Sequence, residues 1–285
     1  MRIGLGLPNA DKSLTNGRLL IDIAHRADSL GFSTLATIGR VGYPNYEELI
    51  TLAAAAAATA KIGLFTNILL AATREPVLLA KQAATLDQVS GGRFVLGIGA
   101  GGRPDDFAVT GTDFHTRGRR LDAALELMQR AWRGEPVPGT EQPVTPRPVS
   151  GDGVPIMFGG GAEAVIRRVV KYGVGWTAGG GTPESLTVMM ERINAAWKAE
   201  GRAGKPKFRA LGYFVLGDEL HEEAESNLLS YYGEFGARVW SGTIKSAAEA
   251  RERVKASEKT GVDELILFMS APHLEQVDRL AEAVL

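Results

Sequence analysis

The chain has 285 residues, of which 45% are hydrophobic and 23% charged, with a formal net charge of -1 and no cysteine. The absence of a basic surplus argues against nucleic-acid binding, and the absence of cysteine excludes disulfides, thiolate metal sites and cysteine nucleophiles. The first residues resemble a strand rather than a signal peptide, and Lys61 and Gly63 interrupt the most apolar stretch. We therefore expect a cytoplasmic globular protein without a membrane span.

Strand and helix patterns alternate along the whole chain. The first helix, for example, has Asn16 as a candidate cap and Gly31 as its stop signal. Strands are predicted at residues 2–7, 33–38, 62–69, within 90–107, and at 154–158, 174–177, 208–216 and 264–268. Helices are predicted at residues 16–30, 75–89, 116–132, 162–172, 183–199 and 274–284, and an alanine-rich helix is predicted to end at residue 60. Two more helices are predicted after the seventh strand, separated near residues 241–242.

Eight βα units with short apolar strands predict a single-domain α/β fold over residues 1–285, the (β/α)8 TIM barrel. An open doubly wound sheet is disfavoured because Gly4-Leu5-Gly6 is only a fragment of a dinucleotide-binding motif. Residues 134–153 contain five prolines and no apolar periodicity. We interpret this segment as a loop insertion after the fourth βα unit that acts as a lid.

Glycine-rich segments follow three of the predicted strands. The fourth strand leads into Gly99, Gly101 and Gly102, and similar runs occur at residues 159–161 and 179–181. Ligands of a (β/α)8 barrel bind at the carboxyl ends of its strands. The run at 159–161 also precedes a helix, whose N-terminus attracts anions. The pattern is compatible with a phosphate site and equally with close packing.

Few residues at the predicted strand ends are acid or base catalysts. His25, His221 and His273 fall in or beside predicted outer helices, and we interpret His115 as a surface residue as well. The strand ends offer no cluster of metal ligands, so no metal site is expected. Asp105 and Asp106 are interpreted as acids in the first turn of a short helix. A cofactor with its own reactivity would explain the shortage of catalytic side chains.

Several motifs resemble those of the bacterial luciferase-like family of flavin- and deazaflavin-dependent oxidoreductases. They are REPVLLAKQ at 74–82, DQVSGGR at 87–93, LGIGAG at 96–101, and GGG at 159–161 followed by GVGW at 173–176. The resemblance covers the whole chain. It implies a (β/α)8 barrel, usually a homodimer, that binds reduced FMN or reduced coenzyme F420 at the strand ends and acts on a small-molecule substrate.

The resemblance also implies where the cofactor lies. A non-prolyl cis peptide is expected at Asn67-Ile68, at the end of the third strand. The implied cofactor-binding residues are Thr66, Asn67 and Ile68 on this strand end, Ala100, Gly101 and Gly102 along the ring, and Gly159, Gly160, Gly161, Ala178 and Gly179 around the phosphate.

One position departs from the family pattern. Many relatives end the second strand with an acidic residue and a histidine that acts beside the ring, whereas this chain has Gly39-Arg40. An arginine is not a general acid or base near neutral pH. As a catalytic candidate, Arg40 would hold an anionic ring or an acidic substrate; as a structural residue, it would pair with a neighbouring carboxylate. Gly102 and Asp105 also replace the Glu and Asn of some F420-dependent dehydrogenases, which disfavours a sugar-phosphate substrate.

Three functional hypotheses follow. The first is a luciferase-like monooxygenase that receives reduced FMN from a separate flavin reductase and uses O2 on a small organic substrate. The second is an F420-dependent reductase or dehydrogenase that transfers hydride without O2. The third is a catalytically silent flavin-binding barrel, motivated by the missing histidine.

Overall fold

A computed structural model describes residues 1–285 and shows a closed barrel of parallel strands. The strands are β1 (Arg2–Gly6), β2 (Thr34–Thr37), β3 (Gly63–Thr66), β4 (Leu69–Leu70), β5 (Phe94–Gly99), β6 (Ile156–Gly159), β7 (Gly175–Ala178), β8 (Lys207–Phe214) and β9 (Glu264–Met269). Their order is β3-β2-β1-β9-β8-β7-β6-β5, and pairing of β5 with β3 closes the ring. The short β4 continues β3 along β5. The predicted eight-stranded barrel is therefore confirmed.

Helices surround the barrel and connect its strands. They are α1 (Arg18–Leu30), α2 (Glu48–Ala58), α3 (Pro76–Ser90), α4 (Pro104–Ala108), α5 (Arg117–Arg133), α6 (Glu163–Tyr172), α7 (Pro183–Ala199), α8 (His221–Tyr232), α9 (Gly236–Ser241), α10 (Ala247–Thr260) and α11 (Glu275–Val284). Helix α3 illustrates the local signals: Glu75 caps it, Pro76 occupies its first turn, and Gly91 ends it in the left-handed conformation. None of the helices is both long and apolar enough to span a bilayer.

Two predicted elements differ from the observed ones. The third strand, predicted without a break over residues 62–69, is interrupted at Asn67-Ile68, where the structure has the expected cis peptide bond. The region after β8 breaks twice rather than once and forms α8, α9 and α10. The alternation of strands and helices predicted the helix after the seventh strand as part of the outer ring. Helix α8 lies elsewhere, because its side chains contact the loops that follow β1, β2 and β9.

The proline-rich segment 134–153 leads from the C-terminal end of α5 to the start of β6, at the amino-terminal face of the barrel. It is held against the end of α3, where the Val149 N–H donates to Asp87 Oδ2 at 2.8 Å and Gln88 Nε2 donates to the Arg147 carbonyl at 2.7 Å. The carboxyl ends of the strands lie on the opposite face. A lid role for this segment stays a prediction from the sequence.

The inside of the barrel is filled by side chains, as expected for this fold. Phe65, Met157, Ile266 and Phe268 belong to one cluster there and are almost completely buried. At the amino-terminal end a buried ion pair joins the Arg209 guanidinium to Glu264, with 2.6 Å between Nε and Oε2. The ion pair thus closes the barrel interior at its amino-terminal end, and the cavities relevant to a ligand lie at the carboxyl ends of the strands.

Candidate active site

The carboxyl ends of β6 and β7 enclose a cleft of about 450 Å³. Four glycines, one tryptophan and one cation form much of its lining: Gly160, Gly161, Gly179, Gly180, Trp176 and Arg192. The Trp176 indole donates to the Gly160 carbonyl at 2.8 Å and holds this loop in place. Gly160 has φ 108° and Gly180 has φ 120°, conformations that side-chain-bearing residues rarely adopt.

The backbone beside this cleft offers free hydrogen-bond donors. The N–H groups of Gly160, Gly161 and Ala162 donate to no protein acceptor, and α6, which begins directly after them, has no side-chain cap. Arg192 from α7 pairs with Glu163 in the first turn of α6. Free N–H groups at a helix N-terminus next to a guanidinium form a suitable environment for a phosphate group.

Three of the five predicted phosphate-site residues line this cleft: Gly160, Gly161 and Gly179. Gly159 is the last residue of β6, and Ala178 is a buried residue at the end of β7. Ala178 lines an adjacent groove instead, which shares Gly180 with the cleft and also contains Arg253. The structure thus brings all five to one edge of the barrel.

The end of the third strand is joined to its neighbours by side-chain contacts. Thr66 Oγ1 exchanges hydrogen bonds with the backbone of Gly97, donating at 2.7 Å and accepting at 2.9 Å. Asn67 Oδ1 accepts from the Thr177 hydroxyl at 3.0 Å. The Ile68 side chain fits against glycines, since a Cβ at Gly99 would lie 2.2 Å from its Cδ1 and a Cβ at Gly159 would lie 2.8 Å from it.

Three buried polar atoms at the ends of β2, β3 and β9 have no hydrogen-bond partner. They are Asn67 Nδ2 after β3, Thr37 Oγ1 at the end of β2 and Ser270 Oγ after β9. Buried polar atoms are nearly always satisfied in folded proteins. Their position at the carboxyl ends of strands is therefore compatible with a polar ligand at the mouth.

The predicted ring-lining residues follow β5. Gly101 has φ 86°, and a Cβ there would lie 2.9 Å from the Phe107 ring, so a glycine is required. Its carbonyl accepts from Arg117 Nε at 3.1 Å. A Cβ at Gly102 would have nothing within 4 Å, and Ala100 is half-buried. Gly102 therefore leaves open space beside the strand end.

Arg40 is bound to carboxylates. Its guanidinium pairs with Asp105 and lies 3.5 Å from Asp106, measured between Nε and Oδ2. It also lies over the rings of Tyr43 and Tyr231, at 5.3 and 5.9 Å from their centroids. The structure thus contains the carboxylate pairing that the structural interpretation requires, whereas the catalytic role of Arg40 stays a prediction.

Helix α8 covers the opposite side of the barrel mouth with aromatic side chains. The Tyr232 and Tyr213 hydroxyls are 2.6 Å apart, and the carbonyl of Tyr231 accepts from Arg103 Nη1 at 2.6 Å. Asn227 Nδ2 donates to Ser13 Oγ and to the Ser270 carbonyl, which ties α8 to the loops after β1 and β9. Burial raises the pKa of the Tyr213 hydroxyl well above its usual range, so this hydroxyl stays a donor.

Asp11, in the loop after β1, was not singled out by its sequence pattern. Its Oδ2 atom is buried and has no hydrogen-bond partner. Together with Ile38, Tyr213, Tyr231 and Phe268 among others, the residue lines a cavity of about 10 Å³ at the mouth. Burial raises the pKa of the Asp11 carboxyl well above its usual range, and the negative charge of Glu223 raises it further.

Comparisons with known proteins agree with this architecture. The sequence model of a family described as luciferase-like monooxygenase matches residues 1–270. An uncharacterized protein of Mycobacterium tuberculosis is 28% identical over 257 residues, which are 79% of this chain and 88% of the relative.

Solved structures have the same fold at low sequence identity. The monooxygenase RslO1 from Streptomyces bottropensis superposes with a TM-score of 0.81 at 23% identity, covering 99% of this chain and 97% of the other. An F420-dependent secondary alcohol dehydrogenase in complex with an F420-acetone adduct has a TM-score of 0.79 at 18% identity, with 99% and 98% covered. The oxygenating constituent of 3,6-diketocamphane monooxygenase of Pseudomonas putida, in complex with FMN, has a TM-score of 0.77 at 17% identity, with 100% and 99% covered.

Proposed function

The chain belongs to the luciferase-like monooxygenase family, and from this premise we propose that it is a monooxygenase that uses reduced FMN and O2 on a small organic substrate. The single observation that carries the proposal is the glycine-lined cleft with free N–H groups at Gly160, Gly161 and Ala162. A flavin phosphate fits this cleft in size and charge.

Further observations support a cofactor in this position. The partnerless polar atoms of Thr37, Asn67 and Ser270 at the ends of β2, β3 and β9 are compatible with a ligand that carries polar groups, as a flavin does. In the proposed complex, Gly160, Gly161, Gly179 and Arg192 hold the phosphate. Asn67 and Ile68 contact the ring, and Gly102 supplies open space beside it.

When bound, the flavin supplies the redox chemistry that no side chain of this cysteine-free chain provides. The protein's own contribution is to bind, orient and enclose. Ile68, packed against Gly99 and Gly159, forms a rigid apolar surface at the mouth. Helix α8, fastened through Asn227, covers the other side and limits the access of water.

An alternative within the same family is hydride transfer from reduced F420 without O2. The observation that favours it is the adjacent groove, which continues from the cleft at Gly180 and contains Arg253. FMN ends at its phosphate, whereas F420 carries an acidic chain beyond it, and a groove with a guanidinium would accept such a chain. A catalytically silent flavin-binding barrel is the third possibility.

Titration of the purified protein with FMN and F420, each oxidised and reduced, tests these alternatives through ring absorbance and fluorescence. We expect binding of reduced FMN at micromolar concentration and O2 consumption that depends on an added organic substrate. Tight binding of F420 alone would favour the alternative. Failure to bind either cofactor would contradict both, and binding without turnover of any substrate would leave the silent barrel.

Two proposals on partners rest on the family resemblance. We propose a separate flavin reductase as the source of reduced FMN and a homodimer as the assembly. Static light scattering measures the mass directly, and a monomer at the concentrations used for activity would contradict the homodimer. The separate reductase is tested by measuring activity while a dialysis membrane keeps the reductase physically apart from this protein.

A further inference from the structure

Asp11 lies across the barrel from the glycine cleft. In the closed ring of strands, three strands separate β1 from β6 in either direction: β9, β8 and β7 on one side, and β2, β3 and β5 on the other. A ligand that is anchored at the exit of β6 and reaches over the barrel axis therefore ends opposite the exit of β1. Asp11 is the carboxyl group at that exit.

The surroundings of Asp11 are mostly apolar. The lining of its cavity includes Leu7, Ile38 and Phe268, and the other polar groups are the hydroxyls of three tyrosines and the Asn227 amide, whose Nδ2 already donates to Ser13 and Ser270. The charged groups near Asp11 are Glu223 on α8, which hydrogen-bonds to His273 at 2.7 Å, and beyond Tyr231 the guanidinium groups of Arg40 and Arg103. None of these cations pairs with Asp11, because Arg40 is engaged with Asp105 and Asp106.

Asp11 is half-buried as a residue, but its Oδ2 atom is buried without a partner, and burial without a cationic partner favours the neutral carboxyl, which is a hydrogen-bond donor. The pKa of Asp11 is raised in the expected direction by burial and by Glu223. The Tyr213 and Tyr232 hydroxyls hydrogen-bond to each other and the Tyr231 hydroxyl donates to the Gly39 carbonyl, so the protonated Asp11 carboxyl is the free donor of a cavity that contains no free cation. Such a cavity recognises an uncharged oxygen atom and disfavours an anion.

We propose that Asp11 is the substrate-binding acid of this enzyme, holding a proton at Oδ2 and donating it in a hydrogen bond to the carbonyl oxygen of an uncharged substrate. This inference rests on the proposed function, since it locates the substrate on the side of the mouth opposite the cofactor. The present cavity of about 10 Å³ is large enough for one water molecule. A substrate larger than water therefore enters this cavity only if the Tyr231–Tyr232 end of α8 moves outward.

The test compares acetone with acetate, two probes of the same size that differ in charge. Binding to the full chain is followed by ligand-observed NMR at several pH values for wild type, Asp11→Asn and Asp11→Ala. Wild type should bind acetone and not acetate, and its acetone affinity should fall as the pH rises and Asp11 ionises. Asp11→Asn keeps a donor and should bind acetone without this pH dependence, whereas Asp11→Ala should bind it about tenfold more weakly.

Binding of FMN and F420 by the same variants separates this inference from the proposed function. If wild type binds neither cofactor, the proposed function fails, and the acetone result still decides the role of Asp11. If the cofactor binds normally, equal acetone affinities of wild type and Asp11→Ala overturn the inference. The inference is also overturned if neither protein binds acetone. Stronger binding of acetate than of acetone by wild type overturns it as well.

Discussion

Arg40 and Asp106 form a contact that joins the loop after β2 to helix α4. Arg40 Nε lies 3.5 Å from Asp106 Oδ2, while Oδ1 of the same carboxylate accepts from the N–H groups of Val41 and Gly42, both at 2.8 Å. The Asp106 side chain is 1% exposed and that of Arg40 is 10% exposed. One buried carboxylate thus fixes both a loop backbone and the side chain that replaces the family histidine.

Loss of this carboxylate should be costly. Asp106→Ala leaves two N–H groups without their acceptor and removes a buried negative charge beside Arg40, and we expect it to lower the free energy of unfolding by about 3–5 kcal/mol. Asp105→Ala removes the other partner of Arg40, but Asp105 is 54% exposed, so its loss should cost less than about 1 kcal/mol. Urea denaturation of both variants measures the difference, and similar losses would contradict the assignment.

Charge at the glycine cleft should control phosphate binding. A Cβ at Gly161 has nothing within 4 Å, so a larger side chain fits there. Gly161→Asp places a negative charge beside the free N–H groups and should weaken FMN or F420 binding by about tenfold or more, with a smaller effect at high salt. Gly161→Asn has the same size without the charge and serves as the matched control. Equal affinities of the two variants would exclude a phosphate at this position.

Substitutions of Arg192 and Glu163 should change phosphate affinity at the same cleft in opposite directions. Glu163→Gln releases the Arg192 guanidinium from its partner and should strengthen binding of inorganic phosphate roughly threefold. Arg192→Met should weaken it. In the double variant the gain from Glu163→Gln should disappear, because it acts through Arg192. Isothermal titration calorimetry measures all three, and an undiminished gain in the double variant would contradict this coupling.

Glycines along β5 and its exit should respond differently to the same substitution. A Cβ at Gly97 would lie 1.8 Å from the Thr66 carbonyl oxygen, a backbone atom that cannot move aside. Gly97→Ala should therefore destabilise the fold by about 3 kcal/mol or more. Gly102 has open space around it, and Gly102→Ala should change stability by less than about 0.5 kcal/mol. Thermal unfolding of the two variants distinguishes the structural glycine from the one that leaves room for a ligand.

The stability difference between Asp11→Asn and wild type should depend on pH. Because burial raises the pKa of Asp11 in the folded state, folding favours the protonated form, and wild type loses stability as the pH rises through the folded pKa. Asparagine has no proton to lose, so the variant should gain stability relative to wild type with rising pH. Urea denaturation between about pH 4.5 and 8 measures this trend. Asp22→Asn, on the partly exposed side of α1, controls for the lost charge, and a constant difference for Asp11→Asn would contradict a buried acid.

The barrel was predictable because each of its units carries a local signal. Caps and stop residues such as Gly31 and Gly91 mark helix ends, and short apolar runs mark the strands between them. The glycine runs at 159–161 and 179–181 were predictable as strand-exit loops on one face because the closed fold brings all strand exits together, and their role as ligand sites stays a prediction. The break in the third strand has no such signal in the run Leu64 to Leu69 itself and was not predicted; only the cis peptide at Asn67-Ile68 was expected, from the family resemblance.

The residues that the sequence did not reveal depend on contacts between distant segments. Arg192 lies on α7, far along the chain from Gly160, and periodicity cannot show that its side chain reaches the cleft. Tyr231 and Tyr232 belong to a helix whose pattern resembles that of the outer ring, so their position over the mouth is visible only in three dimensions. Asp11 is a single acid in a polar loop, and only burial distinguishes it from solvated neighbours.

The position of segment 134–153 has a practical consequence for attaching the protein to a surface. The segment lies on the face opposite the candidate site, Glu141 within it is exposed, and the chain has no cysteine. A Glu141→Cys variant would carry the sole thiol in the molecule. Coupling through that thiol to an electrode or a bead would orient every copy alike, with the barrel mouth and the Asp11 cavity directed towards the solution.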